Sequence, residues 1–148
     1  YNDLREQVKE FINGSVIPAE DAIEEESRTG ETMAGLKAEA KRLGMWALGH
    51  PKDIGGGGVP FMPFVYMNEI IGRSHYGSVA IGTASMQDSI MLNLYASDEQ
   101  RERWLTPLVA GEITVQPQQV VGMVNVVSLF KFHHAMTILA THLFQCLA

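Results

Sequence analysis

Apolar residues return at helical spacing through the first part of the chain. Over residues 3–14, Leu4, Val8, Phe11 and Ile12 fall at i, i+4, i+7 and i+8, one stripe of an amphipathic helix. Gly14 and Pro18 are expected to break it. Residues 20–26 hold few apolar side chains and read as a solvated helical end or loop. A second helix is predicted from about residue 32 to residue 43. It places Leu36, Ala40 and Leu43 on the core face, leaves Lys37, Lys41 and Arg42 outside, and meets its C-terminal stop at Gly44.

Residues 45–60 then form a loop around Gly55, Gly56, Gly57 and Gly58. A helix over residues 61–72 is apolar on most sides, through Phe61, Phe64, Val65, Met67, Ile70 and Ile71. From 77 to 96 the only charge is Asp88, and a helix apolar or small nearly all round is expected to be a buried central one. Its Ser, Thr, Gln and Asn content makes it a poor membrane span. Ser97 and Gln100 are spaced for a reciprocal capping box, with Asp98 and Glu99 at the positive end of the helix dipole and Glu99 facing Arg103. Trp104, Leu105 and Leu108 face inward, and Pro107 should bend or end that helix.

After residue 112 the pattern changes. All 17 Asp and Glu and 10 of the 11 Lys and Arg lie within residues 1–112, whereas 113–148 contains Lys131 alone and 21 apolar residues among 36. Val120, Val121 and residues 124–127 suit a short strand, and 128–147 suits a helix striped by Phe132, Met136, Leu139 and Leu143. Lys131, His133, His134 and His142 interrupt it as a membrane span. The domain boundary is therefore set at 112: an all-α helical domain over 1–112, and an apolar tail of uncertain structure over 113–148.

Composition adds exclusions. The chain has 148 residues, 46% apolar and 19% charged, with a net charge of −6. That is ample for a core without disulfides or metal. The acidic balance argues against a nucleic-acid partner, whose phosphates call for clustered Lys and Arg. The single Cys146 excludes a disulfide within the chain and fits a reducing compartment. No cleavable signal peptide is visible, and because the chain starts at Tyr1 a leader is not excluded.

No complete active site emerges from residue chemistry. The glycine run lacks the Lys-Ser or Lys-Thr of a phosphate loop and the spacing of a dinucleotide fingerprint, so it reads as a flexible connection. His142 and Cys146 share a helical face, but His134 is two turns away, roughly 12 Å, and no metal site follows. No Gly-x-Ser-x-Gly elbow is present. His50 and His75 read as loop and capping residues. Asp88 is either a ligand-facing carboxylate or, the blander alternative, a hydrogen-bonded or edge residue, since an unpaired buried charge is costly.

A resemblance covers residues 3–112. The run from Leu36 to Leu43-Gly44-Met45-Trp46-Ala47-Leu48-Gly49, then Pro51-Lys52-Asp53-Ile54-Gly55-Gly56, is similar to a conserved stretch of the acyl-CoA dehydrogenases. So are Asn68-Glu69-Ile70-Ile71-Gly72-Arg73-Ser74 and Tyr95-Ala96-Ser97-Asp98-Glu99-Gln100-Arg101-Glu102-Arg103-Trp104-Leu105, with Pro107-Leu108 and Gly111-Glu112 after it. Their order and spacing make the match specific to the N-terminal helical domain of that family, and the resemblance implies an all-α, up-and-down helical fold for these residues.

The resemblance implies FAD as cofactor, an acyl-CoA thioester as substrate and α,β-dehydrogenation as reaction. It further implies a mitochondrial matrix or bacterial cytoplasmic setting. The flavin and the catalytic base belong to the family's central β-domain and C-terminal helical domain. By the same resemblance, residues 77–95 line the acyl side of the pocket, with Val79, Ala80, Thr83 and Gln87 as the facing residues; packing between helices is the other reading. No catalytic residue is assigned. After Gly111-Glu112 the family's flavin-contacting motif should follow, and Ile113-Thr114-Val115-Gln116-Pro117-Gln118-Gln119 departs from it. The expectation is an oxidoreductase fragment inactive by itself. The alternative is a non-enzymatic helical interaction module that associates with itself or a homologue through the apolar tail.

Overall fold

The computed structural model describes residues 1–113. The strand and helix expected beyond, with Lys131, His142 and Cys146, lie outside the described residues. Within them the chain is helical, and it divides into two compact units, the first Tyr1–Met86 and the second beginning at Gln87.

The first unit opens with α1 (Asn2–Phe11), which buries Val8 and Phe11. Gly14 and Pro18 do not end the helical path as expected. The chain continues through a π turn (Ile12–Val16), a 3-10 turn (Ile17–Ala19) and α2 (Glu20–Glu26). A proline ring collides with the carbonyl four residues back in a regular helix, here that of Gly14. The wider π turn lies at that carbonyl and relieves the crowding. Nor is 20–26 merely solvated: α2 carries Ile23 fully into the core.

Ser27, at φ 89°, ends this column. The Glu26 carboxylate then accepts from the Thr32 amide at 2.9 Å and the Thr32 hydroxyl at 3.0 Å, holding the start of α3 (Glu31–Arg42). Met33 and Ala40 form the buried face of α3, and Leu36 is packed at its edge. Leu43 stays 41% exposed, a correction to the expected stripe: it follows the last helical residue, so its direction is set by the cap rather than by the helical period. Gly44 takes the left-handed φ of 70° that a C-terminal stop requires.

α4 (Phe61–Ile71) buries Phe64, Met67, Ile70 and Ile71 against the cluster formed by α1 and its extension, with Val8, Ile12, Ile23, Met33, Met45 and Leu48. Its outer side is apolar too, with Phe61 75% exposed and Met62, Val65 and Tyr66 also exposed. One carboxylate closes the turn after α4: Glu20 accepts from the Ser74 hydroxyl and from the His75 amide at 3.1 Å.

The single buried helix expected over 77–95 is replaced by two. α5 (Gly77–Ala80) stops at a turn around Gly82, whose φ of 74° leaves helical space, and α6 (Met86–Tyr95) begins after it. Of the small residues here, Gly77 lets the backbone close on the Ile71 carbonyl, which an added Cβ would strike, while Gly82 serves the turn.

In the second unit α7 (Asp98–Gln100) starts with the expected capping box. The Ser97 hydroxyl accepts from the Gln100 amide at 3.3 Å, and the Gln100 side chain accepts from the Ser97 amide at 2.9 Å. A π turn (Arg101–Leu105) leads into α8 (Thr106–Ala110), where Leu108 and Val109 are buried and Gly111 caps the end at φ 74°. Pro107 does not end the helical path: it sits in the first turn of α8, and the carbonyl its ring obstructs, that of Arg103, lies inside the π turn.

Candidate functional site

The segment expected to face an acyl group is built on the Ser78 carbonyl. It accepts from the Thr83 amide at 2.8 Å, the Ala84 amide at 3.1 Å and the Thr83 hydroxyl at 3.4 Å. This knot turns the chain between α5 and α6 and fixes the Thr83 side chain inward, almost fully buried. Ala80 is wholly buried, whereas Val79 is half-buried and packs at the edge of the core. Val79, Ala80 and Thr83 thus share one short stretch of the first unit. Gln87 is exposed and belongs to the second. The four do not lie along one helix face, because the helix that would have aligned them is interrupted.

This turn is tied to the loop before α4. The Ala47 amide donates to the Ile81 carbonyl at 2.8 Å, with Ala47 itself in left-handed space at φ 51°. A side chain on Gly82 would strike the Trp46 ring at 2.6 Å. Trp46 in turn lies under the Lys41 ammonium, 4.6 Å from the ring centroid. Trp46 is the residue that sequence reasoning passed over; only the small residue facing it hinted at a close aromatic.

The glycine run proves closed rather than flexible, and this decides what it can hold. Gly56 donates to the Pro51 carbonyl at 3.0 Å, Gly57 to Ala47 at 2.9 Å, Gly58 to His50 at 2.9 Å and Val59 to Leu48 at 2.9 Å. Each amide that could cradle a phosphate is spent on the loop's own carbonyls. A methyl group on Gly56 would collide with Cβ and the carbonyl oxygen of His50, and one on Gly58 with the Lys52 stem. The glycine loop therefore offers no cradle for the pyrophosphate of FAD.

Inside this loop His50 is completely buried. Neither ring nitrogen finds a hydrogen-bonding partner among the described residues. Burial pushes the imidazole below its ordinary value; the Ala47 carbonyl, outside hydrogen-bonding geometry, offsets this only in part. His75 is exposed, and it is its backbone amide that is held, by Glu20. Asp88 is half-buried on α6, and desolvation raises its carboxyl above the usual range. No hydrogen bond or ion pair to it occurs among the described residues. No group of three His, Cys, Asp or Glu side chains that could hold a metal ion occurs among the described residues. No helix there is long and apolar enough to cross a membrane.

This helical body has known counterparts. Residues 1–112 match the family model described as acyl-CoA dehydrogenase, N-terminal domain. The mouse protein named acyl-CoA dehydrogenase family member 10 is 28% identical, over 74% of this chain and 12% of its own length. The pig mitochondrial short-chain specific acyl-CoA dehydrogenase is 23% identical, over 76% and 27%. The 3-(aryl)acrylate reductase of Clostridium sporogenes is 24% identical, over 76% and 29%. A solved structure from Mycobacterium abscessus, described as that of an acyl-CoA dehydrogenase, superposes with a TM-score of 0.68 at 29% identity, over 76% of this chain and 32% of that one. The chain spans between 12% and 29% of the curated relatives' own length. Because that family model spans residues 1–112, well over half of the sequence, this chain belongs to the acyl-CoA dehydrogenase family, whose N-terminal domain it carries.

Proposed function

We propose that this chain supplies the N-terminal wall of an FAD-dependent enzyme that oxidises or reduces the α,β-bond of an acyl thioester. The observation that carries this reading is the family match across all of residues 1–112. The names of the relatives include both dehydrogenases and a reductase, so the reading commits to the bond rather than to a direction. In such an enzyme the flavin takes up or returns hydride. The part left to these residues is to exclude water and shape the acyl side of the pocket. Val79, Ala80, Thr83 and Gln87 are the proposed lining. Thr83 is suited to it because its hydroxyl is already satisfied by the Ser78 carbonyl and exposes a methyl group at no polar cost.

The spent amides of the glycine loop support a second part of the proposal: the 148-residue chain alone neither retains flavin nor turns over. The chain is purified and its absorbance read near the flavin bands, with and without an acyl-CoA. A colourless preparation is expected; a yellow one bleached by acyl-CoA would overturn it. For the lining, residues 1–112 are joined to the remaining domains of the Mycobacterium abscessus relative. Val79→Ala should shift the chain-length preference in kcat/KM by about threefold, on the order of one methylene's worth of pocket. An unchanged preference removes Val79 from the lining.

The second reading, a non-enzymatic helical interaction module, draws on the composition of residues 113–148, with 21 apolar residues in 36. Size-exclusion chromatography of the chain with and without 114–148 tests it. Association should then vanish on truncation, and an unchanged elution state argues against it.

A further inference from the structure

We infer that the outer face of α4 is an interface between two copies of this chain, which pair helix on helix about a two-fold axis at Val65. Successive residues of a helix step by about 100°, so Phe61, Val65, Met62 and Tyr66 fall on one arc, away from the core residues Phe64, Met67, Ile70 and Ile71. All four are exposed, Phe61 by 75%, Tyr66 by 58%, Met62 by 56% and Val65 by 41%. Aromatic residues and methionine are the types that protein interfaces favour over the rest of a surface.

The exposed area is what a second copy needs. Beside the stripe, Tyr1 is 64% exposed and lines, with Arg5, Met62 and Tyr66, a groove of about 660 Å³ between α1 and α4. Counting a whole aromatic side chain as about 200 Å², the exposed parts of Phe61, Met62, Val65, Tyr66 and Tyr1 come to roughly 600 Å². Two such faces remove roughly 1,200 Å² from water, the size at which specific interfaces begin. The surface also carries its own complement, as a two-fold contact requires. Phe61 protrudes furthest from the stripe, and the groove beside it is wide enough to receive an aromatic ring.

Val65 lies midway between Phe61 and Glu69, one helical turn from each. A two-fold axis there sets Val65 against its own copy and runs the two helices antiparallel, so that Glu69 meets the N-terminal end of the facing α4. That end is positive, and its cap residue Pro60 makes no side-chain hydrogen bond, so a carboxylate suits it. Arg5 lies 3.6 Å and Arg73 2.7 Å from Glu69. The rim therefore carries both signs around an apolar centre, and two identical faces can offer each other opposite charge.

The 148-residue chain is followed by sedimentation velocity across a concentration series, in which the wild type should pass from monomer to dimer. Val65→Lys and Val65→Glu, each checked for helicity by circular dichroism, set like charges against each other at the axis and should weaken the dimer at least about tenfold. An equimolar mixture of the two variants sets Lys against Glu and should recover dimer that neither forms alone. A wild-type chain monomeric at every concentration overturns the inference and leaves the face to a different protein. Association unchanged in Val65→Lys overturns it too, and assigns self-association to residues 113–148 instead. A mixture that dimerises no better than its components overturns the axis at Val65 and the pairing with it. None of these outcomes involves flavin or an acyl thioester, so they are independent of the proposed enzyme chemistry.

Discussion

At Gly56 a single added methyl group would run into Cβ and the carbonyl oxygen of His50, and that carbonyl is already fixed by the Gly58 amide. Backbone must move to admit it, so Gly56→Ala should lower stability by about 2–3 kcal/mol, read as a shift in urea midpoint at unchanged slope. His50 itself imposes a pH dependence. Burial holds its folded value below the ordinary 6.5, so the unfolded chain is the better proton acceptor, and stability rises with pH between the two values. Acidification from pH near 7 should therefore lower Tm already as the pH falls below the ordinary histidine value, ahead of the carboxylates. His50→Leu should flatten that window while leaving the later loss from Glu6, Glu39 and Glu69. Those carboxylates are held down by Lys9, Arg42 and Arg73, and they titrate below their ordinary 4.5.

Among the elements, α7 depends on the capping residue before it, Ser97, because a three-residue helix has few internal bonds of its own. Ser97→Ala removes one of two reciprocal cap bonds and should cost about 1 kcal/mol in thermal denaturation. That box was legible in the sequence, since its two partners are three residues apart and need no tertiary information. The core stripe of α1 was legible for the same reason. What could not be read was any outcome decided by contacts distant in sequence. Ile23 looked like one apolar residue among carboxylates, yet α2 exists to bring it inward, and Ile23→Ala should cost about 2–5 kcal/mol by cavity formation. Pro18 and Pro107 promised breaks, but a π turn at the obstructed carbonyl lets each helix continue. The acyl-side residues were picked on the premise of one helix face over 77–95. Period alone could not reveal that the Ser78 carbonyl would gather three donors and turn the chain there.

Across the whole molecule, the first unit is apolar on both sides of α4, where Phe61, Met62, Val65 and Tyr66 are exposed and Glu69, paired with Arg73, is the one charged residue of the helix. Such a face favours association of the isolated chain. Phe61→Lys with Tyr66→Lys should raise solubility in a polyethylene glycol precipitation series. Stability should stay within about 0.5 kcal/mol, because neither side chain contributes to the core. The long connections run the other way. Glu20 ties α2 to the turn 54 and 55 residues later. Its two bonds join segments that no local pattern relates.

His50 has one more use. An imidazole sealed behind four backbone hydrogen bonds can meet solvent protons only when the 47–59 loop opens. Its ring resonances are therefore an unlabelled clock for that opening: the rate at which they respond to a jump in acidity, followed by NMR, reads the opening rate once protonation outpaces reclosing.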